Sequence, residues 1–216
     1  MKMKVKLVSD FLDYYDHQFD IDLGGEAFEF RRVSTEGMNR IEMMKYLVKN
    51  KFTVPVFGSY LSVSFMYKFV LNTDINAHRG EGKILINKNK DASNIDKDGF
   101  YVGYIKCKKG VSFRQLQIGD TTIWLKYQSV SGDWRSNCGE VEIEILEIGS
   151  KSLLKFTPPK ILDFPLYAID YVAFNEQLYA IDLNIAPQIK GTGLEDILKS
   201  IYIVSEIKNK IKNKIN

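Results

Sequence analysis

The chain has 216 residues, 45% of them hydrophobic and 26% charged, and a formal net charge of +3. That balance excludes a charge-dominated disordered chain and leaves length for one substantial core or two small lobes. The basic excess gathers in the lysine- and asparagine-rich tail at 208–216, which reads as a solvated helix end and makes nucleic acid an unexpected partner. No apolar run approaches the roughly 20 residues of a spanning helix, so no membrane partner is expected. Met1 to Lys4 begins charged and leads straight into a strand-like segment, so no signal peptide is expected, and Cys107 and Cys138 lack metal-ligand spacing. The choice is between a disulfide and, the simpler reading, two reduced thiols in a cytoplasmic protein.

Residues 5–9 read as a short strand. Asp10, Asp13, Asp16 and His17 follow it, either as an acceptor-substrate pocket at a strand end or as an acidic helix start capped by Ser9 or Asp10. Residues 39–51 carry apolar side chains at 41, 44, 47 and 48, which predicts a helix; Met43 and Met44 read as core. Residues 53–56 return to strand, and 65–71 form another. That second strand leads through Asn72 to Arg79, Gly80, Gly82 and Lys83, and a further strand runs from Lys83 to Ile86.

The glycines allow close backbone approach to phosphate, and Arg79 and Lys83 supply charge; the alternative is a plain glycine hairpin. A P-loop is excluded, because its signature is absent and a strand follows instead of a helix. Residues 87–99 are a short helix or a loop, and 101–105 a strand. Gly119-Asp120 joins two strands at 112–128, and Asp133, Arg135 and Asn137 follow. Residues 141–147 alternate as an amphipathic strand, and Pro158-Pro159 speaks against a helix near 153–164.

Two more strands flank a turn at Asn175-Glu176. Alternation puts Asp182 and Asn184 on one face of the second, with Ile181, Leu183 and Ile185 on the other. A clean two-residue turn sets Asp170 opposite position 181. Bringing it to Asp182 therefore requires a longer turn or a bulge beside Asp170. Two carboxylates and an amide on one surface suit a hard cation such as Mg²⁺; the alternative is a hairpin with a polar outer face. Past Pro187, residues 192–195 have capping-box spacing, and a helical stripe runs on to Val204.

The stretch from Asp170 through Asp182, Asn184 and Pro187 resembles the metal-binding hairpin of the ATP-grasp superfamily, which peptide–glutamate ligases, glutathione synthetase and D-alanine–D-alanine ligase share. The order of the glycine loop, Arg114, Asp133, Arg135 and Asn137 resembles the same family, over roughly residues 65–195. The resemblance implies an α/β (α+β) fold, with two lobes of mostly antiparallel sheet clamping a nucleotide. It divides the chain into a short N-terminal lobe at 1–64, a glycine-loop lobe at 65–105 and a core at 106–216. It implies ATP and Mg²⁺, and ligation of a carboxylate, activated as an acylphosphate, to an amine or other nucleophile of a small molecule or peptide.

By the same resemblance Arg135, Arg114 and Lys83 are catalytic. Lys68, Arg79, Gly80, Gly82, Lys83, Tyr104, Ile105 and Lys106 bind nucleotide, and Asp170, Asp182 and Asn184 hold the metal. Asp10, Asp13, His17, Asn137, Gly191, Thr192 and Gly193 face the acceptor. Two departures stand out. Ser112 replaces an acid, leaving Arg114 without its expected partner, and the strand ending at Asn72 lacks the family's lysine, for which Lys68 or Lys83 substitutes. A nucleotide-binding module without turnover is therefore the alternative. A covalent nucleotidyl transferase is disfavoured, because Lys97-Asp98-Gly99 is one residue short of that chemistry's motif.

Overall fold

A computed structural model describes residues 3–4, 22–24, 38–76, 81–118, 121–136, 138–148, 159, 161, 166–184 and 187. The chain divides into two compact units, Met1–Val33 with Ala186–Asn216, and Ser34–Ile185. In the first, β1 (Met3–Lys4) pairs antiparallel with β2 (Asp22–Gly24). The strand expected at 5–9, the acidic cluster after it and the helix beyond Pro187 lie outside the described residues.

The second unit opens with α1 (Arg40–Lys49). Its N-cap is Asn39, whose side chain accepts from the N–H groups of Ile41 and Glu42, while Glu42 accepts from the Asn39 N–H in return. Arg40, Met43, Met44 and Leu47 form the buried face at i, i+3, i+4, i+7. Val48, expected in the stripe, is 49% exposed. The face is turned so that Arg40 takes a buried place.

A four-stranded sheet has the order β3 (Phe57–Gly58), β6 (Phe100–Gly103), β4 (Lys68–Asn72), β5 (Lys83–Asn87). Two expected strands start late. Pro55 has no N–H to give a ladder, so pairing begins at Phe57, although the Val56 carbonyl already accepts from the Gly103 N–H at 2.7 Å. Phe65 belongs instead to the turn after α2 (Tyr60–Val63), where the Met66 N–H bonds the Val63 carbonyl, and β4 begins at Lys68. Val63, Phe69, Leu71, Ile86 and Tyr101 make this sheet's core, with Tyr60, Phe69 and Tyr101 packed edge to face. Between β5 and β6 the open choice falls to a loop with one 3-10 turn at Ala92–Asn94.

A five-stranded sheet has the order β11 (Gln177–Asn184), β10 (Leu166–Phe174), β7 (Val111–Ile118), β8 (Thr121–Ser129), β9 (Val141–Ile148). β7 and β8 pair up to Ile118 and Thr121, so their connection has two residues, as expected. Met43, Met44 and Leu47 of α1 share a core with Trp124, Tyr167, Ile169, Tyr171 and Leu178 of this sheet. All described ladders are antiparallel and helices are few, which is the α+β class the sequence implies. Among the described residues no helix is long and apolar enough to cross a membrane.

Of the two expected ways to bring Asp170 to Asp182, the β10–β11 hairpin uses the bulge and keeps a two-residue turn. Asn175 and Glu176 both have positive φ, 49° and 61°, as a tight type I′ turn requires. The ladder then slips: Tyr171 lies opposite Ala180, but Asp170 lies opposite Asp182. Ile181 is the extra residue of a bulge, and it ends the strict alternation expected of this strand.

Candidate functional site

Between the two sheets of the second unit lies a pocket lined by Arg40 and Met43 from α1, Asn72 from β4 and Lys83 from β5. Tyr104, Ile105 and Cys107 after β6, Trp134, Arg135 and Ser136 after β8, and Asp170, Ile181 and Asp182 of the hairpin complete its wall. The bulge explains why neighbours Ile181 and Asp182 both face it.

Arg40, Lys83, Arg135, Asp170 and Asp182 line the pocket, and Arg114 and Asp133 pair with two of them from behind the wall. Asp170 sits directly opposite Arg114 on β7, and the two make a fork: Arg114 Nε to Oδ1 at 2.6 Å and Nη2 to Oδ2 at 2.8 Å. The remaining Arg114 nitrogen, Nη1, donates to the Tyr127 hydroxyl at 3.3 Å, and the guanidinium lies 4.9 Å from that ring's centre. Burial works to lower the Arg114 pKa, but the charge and hydrogen bonds of Asp170 outweigh it and hold the group above its ordinary value. The expectation that Arg114 lacks a partner is thus corrected: an acid one strand over replaces the one missing at Ser112. Ser112 itself hydrogen-bonds Ser136.

Arg135 makes a second fork, with Asp133: Nε to Oδ1 at 3.1 Å and Nη2 to Oδ2 at 2.9 Å. Its backbone N–H adds a bond to Oδ1 at 2.8 Å, and these hydrogen bonds pull the Asp133 carboxyl down to about 2. The Arg135 guanidinium lies 5.8 Å from the Trp134 ring, which meets Tyr104 edge to face at 6.3 Å.

Arg40 was not legible as a site residue. It is 7% exposed, and its Nη1 donates to Asp182 Oδ1 at 3.3 Å. One signal existed. Asn39 and Glu42 have capping spacing, which makes Arg40 the first residue of a helix, where a cation opposes the macrodipole and needs an anion close by.

Lys83 lies opposite Asn72 on the β4–β5 ladder, and both line the pocket. Desolvation lowers the Lys83 pKa from its ordinary value; Asp182 opposes that shift, Arg40 adds to it and Asp170 opposes it. Among the described residues the Lys83 side chain makes no hydrogen bond or ion pair. Asn72 is 5% exposed and donates to the Phe100 carbonyl at 3.4 Å.

The remaining expected site residues fall as follows. Gly82 has φ 62°, and its carbonyl closes the β4–β5 stem by accepting from the Thr73 N–H. Lys68 lies off the pocket wall, 5.9 Å from the Tyr104 ring centre, and Lys106 is exposed and also off it. Asn184 pairs with Ala168 two positions beyond Asp182 and does not line the pocket. Asp10, Asp13, Asp16, His17, Arg79, Gly80, Asn137, Gly191, Thr192 and Gly193 lie outside the described residues.

The oxygen set of Asp170, Asp182 and Asn184 is of the type that Mg²⁺ takes when phosphate supplies further ligands. Among the described residues no group of three or more His, Cys, Asp or Glu forms a metal cluster. Of the three, Asp170 and Asp182 line the pocket and offer carboxylate oxygens to such an ion, without forming a self-sufficient cage.

No family model and no curated protein sequence matches the chain. Among solved structures, the ATP-grasp ligase PsnB, complexed with minimal precursor, Mg and ADP, matches with a TM-score of 0.52 at 13% identity. The match covers 78% of this chain and 59% of that one. The chain has the ATP-grasp fold. Two further ATP-grasp structures match less well. The RiPP-associated ATP-grasp ligase of Chryseobacterium gregarium, in complex with ADP and a leader and core peptide, matches at 16% identity and a TM-score of 0.47, over 83% of this chain and 61% of that one. D-alanine–D-alanine ligase from Bacillus anthracis matches at 11% identity and a TM-score of 0.47, over 73% and 58%. The chain thus spans about three fifths of the length of each of these ATP-grasp structures.

Proposed function

We propose that the pocket binds ATP and that the protein is an ATP-dependent ligase of the carboxylate–amine type. One observation carries the reading: a desolvated ammonium, Lys83, stands beside Arg40 and the two hairpin carboxylates in a pocket that also presents Tyr104, Ile105 and Trp134. Cations suit phosphate, and aromatic side chains suit a purine. The PsnB match supports the reading at the level of the fold, since that ligase holds ADP and Mg with a peptide precursor.

In this reading Lys83 and Arg40 hold phosphate oxygens, Arg135 steadies the transferring group, and the loop carrying Arg79, Gly80 and Gly82 covers the nucleotide. Asp170, Asp182 and Asn184 would hold Mg²⁺, which would supply positive charge to offset the charge developing on phosphate. The γ-phosphoryl group passes to a substrate carboxylate, giving an acylphosphate and ADP. An amine or other nucleophile then displaces phosphate. Asp10, Asp13, His17, Asn137 and residues 191–193 are proposed to face the acceptor, a small molecule or a peptide. The ATP requirement and two cysteines outside any disulfide fit the cytoplasm.

Asn72, where the family resemblance calls for lysine, favours a second reading, binding without turnover. Titration with ADP, followed by tryptophan fluorescence, tests binding, because Trp134 lines the pocket. Phosphate release from ATP in the presence of a panel of carboxylates and amines tests turnover. Binding with release supports the ligase, and binding without release the second reading. No binding at millimolar ADP refutes both.

A further inference from the structure

Lysines of this chain differ in what holds their amines. Lys88 donates to the Ser64 carbonyl and Lys126 to Glu144. Such bonds fix the proton that an amine must lose before it can act as a nucleophile. The Lys83 side chain makes no hydrogen bond or ion pair among the described residues, although it is half-buried at the start of β5 and lines the pocket. The charged and titratable groups that face it are Asp182, Arg40, Asp170 and Cys138, and desolvation prevails over them in lowering its pKa. A desolvated lysine beside another cation is the setting that makes the amine reactive.

A second observation is one of placement. The guanidinium groups of Arg40 and Arg135 line the same pocket, and Cys138 lies within electrostatic reach of both Lys83 and Arg135. Guanidinium groups recognise phosphate. A pocket that sets them around an unbonded amine fits a reagent with a phosphate at one end and an electrophilic carbon beside it. In an acyl phosphate the phosphate is both the recognised group and the leaving group. We propose that Lys83 is a modification site for acyl phosphates of small acids. The phosphate seats among the pocket's arginines, and the Nζ lone pair attacks the carbonyl carbon. The bond from that carbon to the phosphate oxygen breaks, an amide forms at Lys83, and the proton lost by the amine leaves with phosphate. The amide is uncharged, so the modified chain has lost a phosphate-binding cation. This inference rests on the phosphate half of the reading above and adds a covalent off-switch to it.

The test compares two acetyl donors on the unmodified full chain, so no variant has to fold. Acetyl phosphate carries the phosphate, and N-hydroxysuccinimide acetate does not. Mass spectrometry reads the initial rate at each lysine, with the exposed Lys45 and Lys90 as internal references. With acetyl phosphate, Lys83 should react at least tenfold faster than either reference. Inorganic phosphate and ADP should each suppress that reaction at least tenfold and leave the references unchanged. With N-hydroxysuccinimide acetate, Lys83 should react no faster than the references. The chain acetylated at Lys83 should bind ADP at least tenfold more weakly. Acetyl phosphate that shows no preference for Lys83, or a preference that both donors share, overturns the proposal. If inorganic phosphate protects Lys83 and ADP does not, the modification site stands and the nucleotide reading falls. If ADP binds while acetyl phosphate shows no preference for Lys83, the reverse holds.

Discussion

Removing Arg114 isolates what the fork on Asp170 contributes. In Arg114→Met the apolar stem remains, but a carboxylate 13% exposed loses two bonds of 2.6 and 2.8 Å. Breaking a buried pair from one side costs about 3–5 kcal/mol, because the charge left behind is neither solvated nor paired. For a domain of this size each kcal/mol moves the melting temperature by about 2–4 °C, so a fall of roughly 6–20 °C is expected. Asp170→Asn in the same background removes the stranded charge and should recover more than half of that loss. Thermal and urea unfolding of the four proteins completes a double-mutant cycle. A loss under about 1 kcal/mol in Arg114→Met would show that the fork is no structural clamp. Equal losses in the single and double variants would show that Asp170 has another partner of equal strength.

Lys83→Met should raise the melting temperature of the ligand-free protein, because it removes a desolvated ammonium, and weaken ADP binding about ten- to a hundredfold; calorimetry reads both, and unchanged ADP affinity would remove Lys83 from the phosphate site. Asp133 titrates near 2 in the folded protein, against 3.8 ordinarily. Its folded pKa is depressed, so the stability it adds is complete above the ordinary value and fades as pH falls from about 4 towards 2. Wild type should therefore exceed Asp133→Asn in urea midpoint at pH 6 and match it near pH 2; equal midpoints at pH 6 would contradict the fork with Arg135.

Short-range chemistry made much of the fold legible. Asn175-Glu176 between β-rich runs gave the hairpin, the count to Asp182 gave a choice of longer turn or bulge, and alternation gave β9. Boundaries failed where a neighbour competes for the chain, as with the helical turn that takes Phe65 out of β4. The site was legible as residue types and not as pairs. Asp170 and Arg114 are 56 positions apart, and Arg40 and Asp182 are 142 apart, so neither pairing has a local signature. A missing acid at Ser112 reads as a lost partner in one dimension. Across a ladder it is a partner moved one strand over.

The same reasoning bears on Asn72 and leads to a last prediction. The family resemblance calls for a lysine there, and Lys83 occupies the directly opposed ladder position, facing the same pocket. If the cation has moved across the ladder, position matters less than the presence of one ammonium. Opposed Cβ atoms in an antiparallel pair are about 5 Å apart, and two ammoniums at about that distance repel by about 3 kcal/mol at an effective dielectric of about 20. Asn72→Lys should therefore destabilise the protein by roughly 1–3 kcal/mol, once side-chain length lets the charges separate, and should not tighten ADP binding. The exchange Asn72→Lys with Lys83→Asn keeps one ammonium and one amide, and should hold ADP within about tenfold of wild type, while Lys83→Asn alone loses more. Chemical denaturation and ADP titration on the three variants decide it. Stronger ADP binding in Asn72→Lys would mean that the two positions serve separate phosphate groups. An exchange variant as weak as Lys83→Asn would mean that only β5 presents the charge correctly.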